Sequence, residues 1–208
     1  MTKQNGSDAK KKVLFIDMDN VLVDFQSGIN QLNEEQLKEY EGRYDEVPGI
    51  FSTMKPKEGA LEAFRLLARK FDAYILSTAP WENPSAWSDK LEWVKKYLGD
   101  PAYKRLILSH HKNLSEGDYL IDDRTANGAD RFTGEHIHFG TEKFTNWYSV
   151  LHYLTKKEGY IGILQAPPDH PIYTRGYIIG GMCSTGLPKA SASKNGDSDS
   201  SNIEESES

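Results

Sequence analysis

The sequence predicts an α/β chain built on a doubly wound parallel sheet, with a small helical insertion after the first strand. Short, unbroken apolar runs recur at Val13-Leu14-Phe15-Ile16, residues 71–76, Leu106-Ile107-Leu108, Tyr119-Leu120-Ile121 and around Ile137 and Phe139. Such runs are the mark of strands buried on both faces. Helical patterns or long connections separate them, so each chain crossing can return parallel to the strand before it. Several of the runs also end on polar or charged residues, and that is where open α/β sheets place their ligands.

The first run stops on Asp17-Met18-Asp19, two carboxylates one residue apart. An unpaired carboxylate beside a core is costly to desolvate. Cation or phosphate chemistry accounts for both aspartates; taken alone, Asp17 and Asp19 read equally as a cap on the following helix or as a solvated turn, and the rest of the chain decides between them. A calcium loop does not fit, because the places that need an oxygen ligand and a glycine hold Val21 and Leu22. Beyond Asp24 the chain is polar, with Ile29, Leu32 and Leu37 loosely spaced for a helix, until Pro48-Gly49 breaks it before Ile50-Phe51. Residues 25–54 are too many for a plain βα loop and read as a cap above the strand ends, placed like a lid.

Pro56 then opens an amphipathic helix, with Ala60, Leu61, Phe64, Leu67 and Ala68 on one face and Lys57, Glu62, Arg65 and Arg69 on the other. The second strand closes on Ser77-Thr78-Ala79-Pro80. A helix over residues 84–98 carries Trp87, Leu91, Val94 and Leu98 as its stripe and stops at Gly99. The third strand runs into Ser109-His110-His111-Lys112, the fourth ends on Asp122-Asp123, and a last helix covers residues 145–154. Residues 11–158 thus form one domain. Residues 159–188, rich in Gly and Pro, form an irregular extension, and the Ser-rich, acidic residues 189–208 lack the apolar content to order and form a disordered tail.

At 208 residues with a net charge of −6, the chain can bury a full core and has no electrostatic footprint for a nucleic acid polymer. No apolar stretch is long enough to span a membrane, and residues 1–12 are not a secretory signal. Cys183 alone makes no disulfide framework, which fits a reducing, cytoplasmic setting. A homodimer is one option for the assembly.

In a parallel sheet the strand ends share one edge. Asp17, Asp19, Thr78, Lys112, Asp122 and Asp123 therefore converge there. Two carboxylates, a hydroxyl, an ammonium and an acidic pair are what a Mg²⁺-assisted phosphoryl transfer requires. Asp17-Met18-Asp19-Asn20-Val21-Leu22, Ser77-Thr78-Ala79-Pro80, Lys112 and Leu120-Ile121-Asp122-Asp123-Arg124 resemble the four signatures of haloacid-dehalogenase-type (HAD) phosphatases. Within that superfamily the chain is similar to the 5′(3′)-deoxyribonucleotidases. That closer likeness rests on Asp24-Phe25, Pro48-Gly49-Ile50-Phe51 before Gly59-Ala60, Trp93-Val94 before Leu98-Gly99, Gly117-Asp118-Tyr119, and Glu135-His136-Ile137 with Phe139.

The resemblance implies a Rossmann-like HAD fold and a small-molecule phosphomonoester substrate, a nucleoside monophosphate. It makes Asp17 the phosphorylated nucleophile and Asp19 the acid and base. Thr78 and Lys112 would grip phosphate, and Phe25 and Phe51 would pack against the base or sugar. Mg²⁺ would be held by Asp17, the Asp19 carbonyl, and Asp122 or Asp123. The chain departs from the family pattern at Asn20 in place of Gly, at Ala79 in place of a hydroxyl residue, and in a short cap. A sugar phosphate substrate and a non-catalytic phosphate-binding module remain the competing readings. The pairs His110-His111 and His136-x-His138 lack a third clustered zinc ligand and read as ordinary histidines, and the four tryptophans read as packing.

Overall fold

The computed structural model describes residues 10–159. The expected tail, and the extension beyond Gly159, lie outside them. Strand β1 (Val13–Ile16) is central because its run is apolar on both sides. It pairs in parallel with β4 (Asp72–Ser77) on one side and with β6 (Tyr119–Asp122) on the other. Beyond these lie β5 (Leu106–Leu108) and β7 (Glu135–His138), giving a five-stranded parallel sheet in the order β5-β4-β1-β6-β7. A two-stranded antiparallel ribbon joins β2 (Val23–Asp24) to β3 (Lys55–Pro56).

Alternation along the strands sends Leu14, Ile16, Ala73, Ile75, Tyr119 and Ile121 into one core. Helices α4 (Ala60–Lys70), α5 (Ser85–Tyr97) and α6 (Trp147–Glu158) all bury their apolar faces there. Phe15, Leu76 and Leu120 point the other way, under Ala129 and Phe132, with Val13, Tyr74 and Ile107 only partly buried. A doubly wound sheet is expected to carry helices on both faces. Here the buried part of the second face is covered by the 3-10 turn at Ala129–Arg131 and by Phe132 after it; a further 3-10 turn spans Lys112–Leu114 in the link after β5. The links from β5 to β6 (residues 109–118) and from β6 to β7 (residues 123–134) are at or below the dozen or so residues usual for a parallel return, so neither holds an α-helix.

Three helices differ in detail from the sequence expectation, α6 by running on to Glu158 instead of ending at 154. Pro56 lies in the ribbon, and α4 starts only at Ala60, after Gly59 takes a left-handed turn at φ 75°. Helix α5 buries Ala86, Lys90, Trp93 and Val94, with Leu98 behind them, while Trp87 and Leu91 lie towards solvent. The true stripe is one residue round from the expected one, and it includes a lysine.

Between β2 and β3 come α1 (Phe25–Ile29), α2 (Glu34–Glu39), a 3-10 turn at Tyr44–Glu46 and α3 (Ile50–Thr53). This insertion is tightly fastened. Val47, Ile50, Phe51 and Met54 are buried in the main core, and Trp93 Nε1 donates to Met54 O at 3.0 Å. Asn83 Nδ2 donates to Asp45 O and Val47 O at 2.9 Å each, and Gly49 N donates to Ser85 Oγ at 2.8 Å. Among the described residues no helix is long and apolar enough to cross a membrane.

Candidate active site

The turn after β1 sets the site. The amides of Val21, Leu22 and Val23 all donate to Met18 O at 2.8–3.2 Å, which folds Asp19 back beside Asp17. Asn20 accommodates the turn with a left-handed φ of 57°, as its short polar side chain allows. Buried Val21 and Leu22 anchor the turn, and Trp147 Nε1 donates to Val21 O at 2.9 Å.

Asp17, Asp122 and Lys112 form a buried triad. The Lys112 ammonium lies 3.0 Å from Asp17 Oδ1 and 2.5 Å from Asp122 Oδ2, and Asp122 Oδ1 accepts the Arg124 amide at 2.9 Å. Burial opposes the ammonium, but Asp17 and Asp122 beside it outweigh that and hold the Lys112 pKa above its usual value. Burial, then the nearby Asp17 charge, pushes Asp122 up to about 6 against the pull of Lys112. Asp123 is raised for the same two reasons, while Asn20 Nδ2 donates to its Oδ2 at 3.3 Å.

Asp17, Asp122 and Asp123 each offer a carboxylate oxygen, and these oxygens lie within 4.8 Å of one another. Two opposed magnesium–oxygen bonds span about 4.2 Å, so the cluster is close to the size a hard cation needs. Asp17 Oδ2 and Asp123 Oδ1 are buried without a hydrogen-bond partner. Three acids face Lys112 and, 4.0 Å from Asp123 Oδ1, the more exposed Arg124 guanidinium; with Asp17 Oδ2 orphaned, the set fits a divalent cation.

Asp19 has a different partner, which the sequence reading missed. Lys90 is fully buried on α5, and its ammonium donates to Asp19 Oδ2 at 2.7 Å and to Ser77 Oγ at 3.0 Å. The same ammonium lies 4.4 Å from the centre of the Phe51 ring. Burial, and secondarily Asp17, raise the Asp19 pKa against the pull of Lys90. Asp19 Oδ1 is left buried and unpartnered. The signal for Lys90 was its spacing, four residues after Ala86 and three before Trp93, which puts a lysine on an apolar helix face.

Thr78 follows β4, and its hydroxyl donates to Ser109 O at 2.8 Å. It shares with Asp19 a cleft of about 300 Å³, lined also by Trp81, His110, Arg124 and Asn127, with Asp45, Glu46 and Glu82 around it. The expected aromatic pair is placed otherwise. Phe51 is only 2 % exposed, and half-buried Phe25 packs edge-on against it with ring centres 6.0 Å apart. Phe51 therefore serves as core beneath Lys90 and shows no open face to a ligand, because α3 is drawn into the main core.

The other aromatic and imidazole side chains divide. Trp93 and Trp147 are packed as expected, but Trp81 is 78 % exposed and Trp87 is partly so. His136 and His138 stack 5.2 Å apart, and their Nε2 atoms lie 3.3 Å from Asp122 O and 2.9 Å from Asp123 O. They brace the backbone behind the acids.

A family model described as 5′ nucleotidase, deoxy (pyrimidine), cytosolic type C protein matches residues 33–151. A protein of Vibrio phage KVP40, assigned as a 5′(3′)-deoxyribonucleotidase, is 64% identical over 147 residues, covering 71% of this chain and 86% of its own. One of Bordetella pertussis with the same assignment is 33% identical, covering 60% of this chain and 81% of its own. One of Staphylococcus aureus strain Mu50 is 30% identical, covering 69% and 95%. A magnesium-bound crystal structure of the assigned HAD hydrolase YfnB from Bacillus subtilis aligns with a TM-score of 0.49 at 13% identity, over 70% of this chain and 99% of that one. With more than half of its length matched by the family model, and with a relative this similar, the chain belongs to the deoxy-type 5′ nucleotidases, the 5′(3′)-deoxyribonucleotidase family.

Proposed function

We propose that the protein is a Mg²⁺-dependent phosphomonoester hydrolase that releases phosphate from (deoxy)ribonucleoside monophosphates through an aspartyl phosphate on Asp17. The observation that carries the reading is the unlike surroundings of two neighbouring buried carboxylates. Asp17 sits among acids and Lys112, with Oδ2 unpartnered, while Asp19 is tied to Lys90 through Oδ2 and keeps Oδ1 unpartnered. Pairs of carboxylates in unlike surroundings take unlike roles.

In the first step Asp17 Oδ2 attacks phosphorus, and the bond from phosphorus to the nucleoside oxygen breaks. Asp19 Oδ1 gives its proton to that oxygen, a role suited to a carboxyl whose pKa is raised. In the second step Asp19 takes a proton from water, which attacks the same phosphorus and frees Asp17. Lys112 offsets charge on the equatorial phosphate oxygens, and the Thr78 hydroxyl can turn from Ser109 O to join it. A cation held by Asp17, Asp122 or Asp123 and the Asp19 carbonyl would offset the repulsion between these acids and the phosphate.

Trapping the phosphoenzyme tests the reading. Asp17→Asn keeps the shape but removes the nucleophile, so turnover falls by several orders of magnitude and no label is found. Asp19→Asn keeps the nucleophile. With p-nitrophenyl phosphate, whose leaving group needs no proton, a phosphate-sized mass increase accumulates on the peptide that holds Asp17. Label on Asp19, or on neither residue during wild-type turnover, overturns the mechanism. A panel of deoxynucleoside monophosphates against sugar phosphates tests the substrate class.

A further inference from the structure

Resting on the nucleotide reading above, we infer that Trp81 is the platform on which the substrate's nucleobase stacks. No ring of the insertion serves that purpose: Phe51 is buried with Phe25 packed against it, and neither these nor the half-buried Tyr40 and Tyr44 line the cleft. Trp81 instead presents most of its surface to solvent while lining the same cleft as Asp19 and Thr78. It stands three residues after Thr78, so the two Cα atoms are at most about 10 Å apart, a gap that a nucleoside can bridge.

An exposed indole on a loose loop would be ordinary. This one is held on both sides. Pro80 precedes it with a fixed φ, and the Asn83 amide closes the turn onto Pro80 O at 3.2 Å. Asn83 is fully buried and bonded to Asp45 O and Val47 O, which pins the turn to the insertion. His110 meets the indole edge-on, with centroids 5.9 Å apart and planes at 69°. Its Nε2 is buried without a hydrogen-bond partner, and the residue lines the same cleft. A rigid aromatic face loses little conformational freedom when it binds a base. Every base has a π-face, so such a platform tolerates different bases.

The competing use of this indole is contact with another protein chain, because Trp87 also touches His110 and lies exposed on α5. The shared cleft favours the base, and the test separates the two. Wild type, Trp81→Ala and Trp81→Phe, each as the full chain with Mg²⁺, are compared on thymidine 5′-monophosphate and on 2-deoxyribose 5-phosphate, which has no base. Trp81→Ala should raise KM for the nucleotide about tenfold or more, with a much smaller change on the base-free ester, and Trp81→Phe should restore most of the difference. Thymidine, which is not consumed, should quench the fluorescence of wild type but not of Trp81→Phe. Equal KM changes on the two esters, an unchanged nucleotide KM, or quenching that persists in Trp81→Phe overturns the inference. So does a change of oligomeric state in Trp81→Ala with nucleotide KM intact, which would assign the indole to a protein contact. Wild-type turnover of nucleotides with no effect of Trp81 overturns this inference alone, whereas wild-type protein that turns over no nucleoside monophosphate overturns the nucleotide reading as well.

Discussion

Asp19 holds its two oxygens in unlike surroundings, and Lys90 is the cause. With Oδ2 fixed by a buried ammonium, the carboxyl cannot rotate freely, and on the proposed mechanism Oδ1 is the oxygen left to exchange a proton. Lys90→Met keeps most of the volume and apolar stem but removes the charge and the bond. The expected outcome is a fall in kcat on nucleoside monophosphates of about 10²-fold, the lower range for a misplaced general acid. The loss of phosphoenzyme formation from p-nitrophenyl phosphate should be much smaller, which single-turnover kinetics can measure. Lys90 was hard to find because a lysine inside an amphipathic pattern usually reads as a solvent-facing break. Asp17, Asp19, Asp122 and Asp123 were legible, since they sit where apolar strands end and nothing about packing places charge there; Lys112, four residues past Leu108, was legible only through the family's spacing.

At the scale of elements, α3 acts as part of the core. Phe51 lies under the Lys90 ammonium and is packed with Ile50 and Met54. Phe51→Ala should therefore act on stability first. Deleting a buried aromatic costs about 3–5 kcal/mol, which corresponds to a drop in Tm on the order of 10 °C for a chain of this size. Activity on p-nitrophenyl phosphate and on nucleotides should fall together, by parallel assay below the new Tm. A selective loss on nucleotides would instead return Phe51 to the base-binding role that its sequence position implies. The five strands were readable because each is a short apolar run. The burial of Phe51 was not, since it depends on the bonds from Asn83, Ser85 and Trp93 that draw the insertion down. Those partners stand more than thirty residues away in the chain.

At the scale of the whole molecule, the acidic site should link stability to pH and, if the proposed Mg²⁺ binds there, to metal. The Asp122 pKa is raised to about 6 from an ordinary value of 3.8, so its charge is worth more to the unfolded chain than to the folded one. Its contribution to stability is therefore lost as pH rises from about 4 to 6, and Asp19 and Asp123 shift in the same direction. Lys112 stays charged in both states across that window and does not change the sign. Mg²⁺ should offset the penalty, so the gap in Tm between Mg²⁺-loaded and EDTA-treated protein should widen as pH rises through this window. A gap that is flat or that narrows, measured by scanning calorimetry, would contradict a cation among these carboxylates. The uneven covering of the sheet belongs to this scale too. Strand count is written in the apolar runs, but which face each crossover covers depends on connection length, and the two short returns leave Val13, Tyr74 and Ile107 partly open.

The fastening of the insertion bears on how such a protein can be remodelled. Residues 25–54 look like a cassette that could be exchanged between relatives to change substrate choice. Yet the turn that carries Trp81, the Asn83 and Ser85 anchors, and the helix that carries Lys90 and Trp93 all touch that cassette. A graft of the insertion alone would strand Lys90 over a foreign surface and leave Asn83 without its carbonyls. The transferable unit is discontinuous: the insertion together with residues 80–94, moved as one piece.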